Sequence, residues 1–207
     1  MTSAVCFDFN GTLSLDEDLM YDVLAEIFTE RGRPLPRATY FDQFVGFGDD
    51  EIAMRWLRVG EGEARAIAAE RSQRARGLPL EGRIPQAAAD AVRVAAARVP
   101  VAIVTTSLRA EVETVLAHAG LDRFVTATVA GDDVRCSKPD PEPYRRALDV
   151  LGVADAVAFE DTPAGVASAK GAGLRCCGIA TTVPRERLGE ADLVADALTP
   201  ELVESLL

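Results

Sequence analysis

Ala4-Val5-Cys6-Phe7-Asp8-Phe9-Asn10-Gly11-Thr12-Leu13 constrains the chain more than any other stretch. Its first half is a short apolar run of β-branched and aromatic side chains, which predicts a buried strand. Its second half breaks into a turn carrying Asp8 and Gly11. A carboxylate at the C-terminal end of a parallel strand stands in the crevice where open α/β sheets place their chemistry. Gly11 relieves crowding where backbone turns tightly beside a ligand, and Thr12 offers a hydroxyl and an N–H to the same crevice. A strand that ends in a turn is also an ordinary structural motif, so a site here requires partner groups from other strand ends.

The opening logic repeats along the chain. Val99 to Thr106 is an apolar strand ending in small hydroxyl residues, Thr105-Thr106-Ser107. Amides and hydroxyls at such a strand-to-helix junction suit a phosphate group, although Ser and Thr also serve as plain helix caps. Phe124 to Ala130 is expected as a strand, and Ala156 to Phe159 as another, ending in Glu160-Asp161. Leu174 to Ile179 and Asp192 to Val194 read as further strands. Helical patterns at Gln86–Arg98, Arg109–Ala119 and after Pro163 alternate with them, and Thr199-Pro200 caps a last helix with Pro at its first position. This alternation predicts an α/β fold with a doubly wound, Rossmann-like parallel sheet.

Residues 15–81 differ. Leu15–Arg31 has apolar residues at helical spacing, and Arg33-Pro34-Leu35-Pro36 breaks it. A short helix over Tyr40–Val45, a third opening at Asp49-Asp50-Glu51 with acids at the positive end of its dipole, and a fourth over Ala64–Ala75 come next. Four helices without strands predict a small helical bundle inserted into the core. The expected division is 1–14 with 82–207 as the core, and 15–81 as the inserted cap.

With 207 residues, 48% of them hydrophobic, the chain suits one compact unit plus a small insertion. The net charge of −11 argues against nucleic acid as a partner. No apolar run approaches the roughly 20 residues of a membrane span, and Asp8 interrupts the only leader-like run. A cytoplasmic protein without membrane attachment is therefore expected. Cys6, Cys136, Cys176 and Cys177 lack metal-ligand spacing and read as reduced. The oligomeric state is not legible, and a monomer satisfies the pattern.

Asp8-Phe9-Asn10-Gly11-Thr12 resembles the first motif of the haloacid dehalogenase superfamily of aspartate-nucleophile hydrolases, with Asn10 where the usual motif has a second Asp. Three further stretches stand in family order. Thr105 matches the second motif. Lys138, in Lys138-Pro139-Asp140-Pro141, matches the third. Glu160-Asp161, with the small-residue helix Pro163-Ala164-Gly165-Val166-Ala167-Ser168-Ala169 after it, matches the fourth. The helical insert is similar to the cap of the β-phosphoglucomutase and phosphoglycolate phosphatase branch. The resemblance implies Asp8 as nucleophile, Mg²⁺ held by Asp8, the Asn10 backbone carbonyl and Asp161 with Glu160 nearby, Lys138 neutralising nucleophile and phosphate, and Thr105 and Thr106 binding phosphate oxygens. Thr12 and Arg109 join the expected phosphate contacts. The implied substrate is a small phosphorylated metabolite.

Asn10 retains the carbonyl but cannot carry a proton, and general acid–base groups are worth roughly 10²–10⁴ in rate. Three readings are open: hydrolysis of esters with good leaving groups, or slow hydrolysis using water or a cap residue; a variant in which Asp was replaced to trap a substrate complex; or chemistry needing no acid. The alternative of another class is a phosphate-ligand binding protein that kept the pocket but lost its proton shuttle. Halide-expelling relatives do not use Mg²⁺, so Glu160-Asp161 speaks against them. Phosphonate hydrolases use a cap lysine, and no lysine precedes Lys138. A phosphomutase stays open, although His118, the sole histidine, lies in a core helix and Met20 occupies the comparable cap region. His118 and Lys170 read as structural or surface groups, and Tyr40, Phe47 and Trp56 as cap–core packing. Arg55 and Arg58 are further candidates for substrate anions.

Overall fold

The computed structural model describes residues 2–207. Its centre is a six-stranded sheet in the order β3-β2-β1-β4-β5-β6, every pair parallel. The strands are β1 (Val5–Phe7), β2 (Val101–Val104), β3 (Ala127–Val129), β4 (Val157–Glu160), β5 (Arg175–Ile179) and β6 (Leu193–Ala195). β1, β2 and β4 are buried along their full lengths. Helices therefore cover both faces, which is why these strands read as continuous apolar runs. Within β1 the side chains alternate: Val5 and Phe7 enter one core cluster, Ala4 and Cys6 the other. Phe7 is in register with Phe159, and the two rings stack at 5.1 Å.

The strand order reverses direction between β1 and β4. At such a switch point neighbouring crossovers leave to opposite faces and open a crevice beyond the carboxyl ends of the strands. Asp8 follows β1 and Glu160 ends β4, and Asp8 N donates to Phe159 O at 2.9 Å. Topology alone thus brings together acids 152 positions apart in sequence.

Between β1 and the core helix α5 (Gln86–Ala96) the chain forms α1 (Glu17–Glu30), the one-turn α2 (Arg37–Thr39), a π-turn (Tyr40–Phe44), α3 (Asp49–Leu57) and α4 (Glu61–Ala75). In α1, Met20, Tyr21, Val23, Leu24, Ile27 and Phe28 form the buried stripe. The fourth insert helix starts at Glu61, three residues before the expected Ala64, because Glu61 and Glu63 favour the positive end of its dipole. The expected helix at Tyr40–Val45 is instead a π-turn closed by Val45 N to Tyr40 O at 2.9 Å. The wider turn buries Tyr40, Phe44 and Val45 together. Arg83, buried, donates to Pro79 O at 2.8 Å and Ala75 O at 3.1 Å, tying down the return to the core.

The remaining helices are α6 (Arg109–His118), α7 (Glu142–Leu151), α8 (Pro163–Gly171) and α9 (Pro200–Leu206). Thr162 caps α8 by accepting from Gly165 N at 3.1 Å, with Pro163 at the first turn. The strand expected over Phe124–Ala130 is shorter. Asp122–Phe124 turns as a 3₁₀ helix, because β3 is an edge strand with one partner to hold it, and only Ala127–Val129 pairs with β2. Among the described residues, no helix is long and apolar enough to cross a membrane.

Candidate active site

Asp8, Glu160 and Asp161 each place a carboxylate oxygen within 4.8 Å of the others, all three residues buried. Lys138 is the cation set among them, itself 1% exposed. Its Nζ donates to Asp8 Oδ1 at 2.6 Å, Glu160 Oε1 at 2.5 Å and Val104 O at 2.9 Å. Those three acceptors satisfy all three ammonium protons. Tyr144 Oη also donates to Glu160 Oε1, at 2.5 Å, and its ring lies 5.5 Å beneath the ammonium. Burial works against the charged ammonium, but Asp8 and Glu160 together outweigh it and push the Lys138 pKa up.

One lysine does not balance three acids. Burial lifts the Glu160 carboxyl to about 7, against the pull of Lys138. Burial, then the charges of Asp8 and Glu160, hold Asp161 well above the usual carboxylate range. Glu160 Oε2 and Asp161 Oδ2 are buried without a hydrogen-bond partner. Orphaned oxygens on rigid strand ends, in an all-oxygen donor set with excess negative charge, fit a hard divalent cation.

Two glycines make this cluster sterically allowed. Gly11 has φ +79°, and a Cβ there would lie 1.9 Å from Asp161 Oδ2 and 2.3 Å from Thr182 Oγ1. A Cβ on Gly165 would lie 1.8 Å from Glu160 Oε2. Gly11→Ala is expected to cost about 1–2 kcal/mol for the left-handed backbone alone and to displace Asp161. Thermal unfolding with and without Mg²⁺ checks this: the variant should lose most of the cation-dependent stabilisation that a folded-state ligand confers. A full wild-type response to Mg²⁺ would show that Gly11 does not guard the acid.

Asp8, Asp161 and Lys138 floor a cavity of about 40 Å³. Thr105, Thr106 and Ser107 line one wall, and the insert supplies Glu17, Met20, Tyr40, Phe47, Asp49 and Arg71 to the other. Thr105 Oγ1 accepts from Ser107 N at 3.1 Å, which leaves its own proton free to donate. The Asn10 amide is held on both sides: Nδ2 donates to Asp16 Oδ1 at 2.8 Å and Oδ1 accepts from Ser107 Oγ at 2.7 Å. Arg71 is clamped between Asp49 at 2.6 Å and both oxygens of Glu111 at 2.8 Å, joining insert to core.

Two expected phosphate contacts sit elsewhere. Arg109 turns away over the end of β3, donating to Thr128 O at 2.7 Å and Asp133 Oδ2 at 2.5 Å, so its charge is already matched. Thr12 is buried and donates to Asp161 Oδ1 at 3.1 Å, steadying an acid rather than facing the cavity. Arg55 pairs with Glu51 and stacks over Phe47 at 4.7 Å, and Arg58 is exposed; neither lines the cavity. His118 is exposed at the end of α6, and Lys170 pairs with Asp192 on the surface. Met20 does line the cavity, as do Tyr40 and Phe47, whereas Trp56 packs beneath Arg33.

Glu17 and Arg71 went unmarked in the sequence, Asp49 was read only as a helix-opening acid, and Ser107 only as part of the hydroxyl run after β2. Asp16-Glu17-Asp18 reads as dipole-matching acids before an amphipathic helix, and nothing singles out an arginine within α4.

A buried carboxylate paired with a lysine, beside two further buried acids at a switch point, is an arrangement able to hold a divalent cation and to neutralise an anionic ligand. The family model for haloacid dehalogenase-like hydrolases matches residues 2–173, and the chain belongs to that family. It is similar to the validoxylamine A 7'-phosphate phosphatase of Streptomyces hygroscopicus subsp. limoneus, 30% identical over 96% of this chain and 95% of that protein. It is also similar to the protein CbbY of Rhodobacter capsulatus, 32% identical over 96% of this chain and 93% of that one. Among solved structures, CbbY from Rhodobacter sphaeroides in complex with phosphate superposes with a TM-score of 0.81 at 30% identity, covering 98% of this chain and 96% of that chain.

Proposed function

We propose that the protein is a Mg²⁺-dependent phosphomonoester hydrolase that forms an aspartyl-phosphate on Asp8. The observation that carries this reading is Asp8 at the cavity floor, its Oδ1 held 2.6 Å from Lys138 Nζ beside two buried acids with unpartnered oxygens. Phosphoryl transfer asks mainly for positioning and charge neutralisation. Asp8 supplies the attacking oxygen, and the covalent intermediate splits one hard step into two. Lys138 neutralises charge on nucleophile and phosphoryl oxygens. The Thr105 hydroxyl and the Thr106 amide hold the remaining oxygens. Asp8, Asp161, the Asn10 carbonyl and Glu160 would hold Mg²⁺, which supplies charge stabilisation on the phosphoryl group.

The insert over 15–81 acts as the cap that selects the substrate, a small phosphorylated metabolite. A cavity of about 40 Å³ admits a few waters, so the cap opens at the Arg71–Glu111 bridge to admit an ester. Free thiols at all four cysteines and the acidic surface suit a cytoplasmic enzyme without nucleic-acid partners.

Phosphate release from p-nitrophenyl phosphate tests the reading. Excess chelator should lower the rate at least ~100-fold, with recovery on adding Mg²⁺. A rate indifferent to chelator and Mg²⁺ would exclude it. Asn10 favours a second reading, a phosphate-ligand binding protein with weakened turnover; calorimetry showing tight binding of phosphorylated metabolites without hydrolysis would select it.

A further inference from the structure

In the family's first motif the residue two positions after the nucleophile carries the proton, and here it is Asn10. A proton must still reach the departing oxygen. Asp16 is the carboxylate that accepts from the Asn10 amide, at 2.8 Å, but it does not line the cavity. Glu17 does. It is also the one residue shared between the small cavity over Asp8 and a larger neighbouring groove of about 830 Å³, lined by Leu15, Arg37, Phe41 and Thr181. A phosphoryl group over Asp8 and an alcohol extending into that groove would meet at Glu17.

Resting on the phosphatase reading above, we propose that Glu17 of α1 is the general acid and base of this enzyme, taking the place that Asn10 cannot fill. Tyr40 Oη donates to Glu17 Oε1 at 2.5 Å, which fixes the carboxyl and leaves Oε2 to carry the proton. In the first half-reaction an Asp8 oxygen bonds to phosphorus and the bond from phosphorus to the ester oxygen breaks. The proton on Glu17 Oε2 passes to that oxygen, and the alcohol leaves. In the second, water oxygen bonds to phosphorus while the ionised Glu17 takes its proton. The bond between phosphorus and Asp8 breaks, returning inorganic phosphate, the Asp8 carboxylate and the Glu17 carboxyl.

The surroundings poise the group for both steps. Burial pushes the Glu17 carboxyl up to about 7. The Tyr40 hydrogen bond opposes this, the charges of Asp16 and Asp8 add to it, and Arg71 opposes it. Asp49 faces the same space but is matched by Arg71, while Asp161 bears on it across the cavity. On the groove side Arg37 is engaged by Asp18. A proton carrier works best with a pKa near the working pH.

The test is rapid-mixing kinetics with 2,4-dinitrophenyl phosphate and Mg²⁺, whose leaving group departs without a proton. Glu17→Gln should release a burst of about one dinitrophenolate per enzyme, then turn over on the order of 10²–10⁴-fold more slowly than wild type, with phosphate accumulating on Asp8. In wild type the steady rate should rise through about pH 7 as Glu17 ionises, and Glu17→Gln should flatten that rise. Adding Asn10→Asp to Glu17→Gln should restore turnover. Steady turnover unchanged in Glu17→Gln, or burst and turnover lost together in a folded variant, would overturn the proposal. If Glu17→Gln fails to fold, Tyr40→Phe decides: losing the donor should move the pH rise upward, and an unmoved rise would overturn the assignment. Wild type that neither releases phosphate nor forms a phosphoenzyme would instead bring down the phosphatase reading itself.

Discussion

Asp8→Asn should leave a folded protein that releases phosphate at least ~10⁴-fold more slowly than wild type, the scale seen when a covalent nucleophile is removed from a working set. The amide cannot attack phosphorus, and no other side chain of the cluster can replace it. Asp161 is turned toward Gly11, and Glu160 accepts from both Lys138 and Tyr144. The fold should persist because Lys138 keeps Glu160 and Val104 O as partners. Phosphate release with matched enzyme concentrations, alongside thermal unfolding, checks both halves. Turnover close to wild type in a folded Asp8→Asn variant would remove Asp8 from the chemistry.

Lys138→Met should act on stability as well as rate. The ammonium is fully buried and meets two carboxylates and a carbonyl. Breaking a buried pair by removing one partner leaves uncompensated charge and costs about 3–5 kcal/mol. Methionine fills the volume of the stem, so the loss is electrostatic rather than a cavity effect. Urea unfolding without metal should show the whole deficit. Added Mg²⁺ should recover part of it, because a cation among Asp8, Glu160 and Asp161 replaces the missing positive charge. Phosphate turnover should fall by ~10²–10³, the usual effect of deleting one preorganised stabilising group. A metal-free Lys138→Met protein as stable as wild type would mean that the acids are not held as charged groups beside the lysine.

The parts of the site legible in the sequence are those set by strand ends. Asp8, Thr105 and Glu160-Asp161 each follow an apolar run, and a parallel sheet brings such ends to one crevice whatever the helices between them do. Lys138 was legible through its proline-flanked setting rather than through any periodicity. Arg109 lies off the cavity because a helix-starting arginine beside a phosphate-like loop says nothing about the acids across from it, and Asp133 and Thr128 O claim it. Thr12 lies in the expected turn, but its hydroxyl is directed to Asp161, which the sequence does not show. Residues from the helical insert were the hardest to read. Glu17 and Arg71 sit on helices whose patterns are fully accounted for by capping and packing, and only the fold of the insert over β1 turns them toward the cavity. The π-turn at Tyr40–Phe44, which brings the Tyr40 hydroxyl to Glu17, likewise has no counterpart in helical spacing.

The covalent intermediate itself is the most direct measurement. Wild type and Glu17→Gln would be mixed with 2,4-dinitrophenyl phosphate and Mg²⁺, quenched in acid within the first turnover, and digested for mass spectrometry. The account predicts one added phosphoryl group on the peptide that carries Asp8, scarce in wild type and near full occupancy in Glu17→Gln. Phosphate released with that peptide unmodified in both proteins, or a phosphoryl group on any other residue, would contradict it.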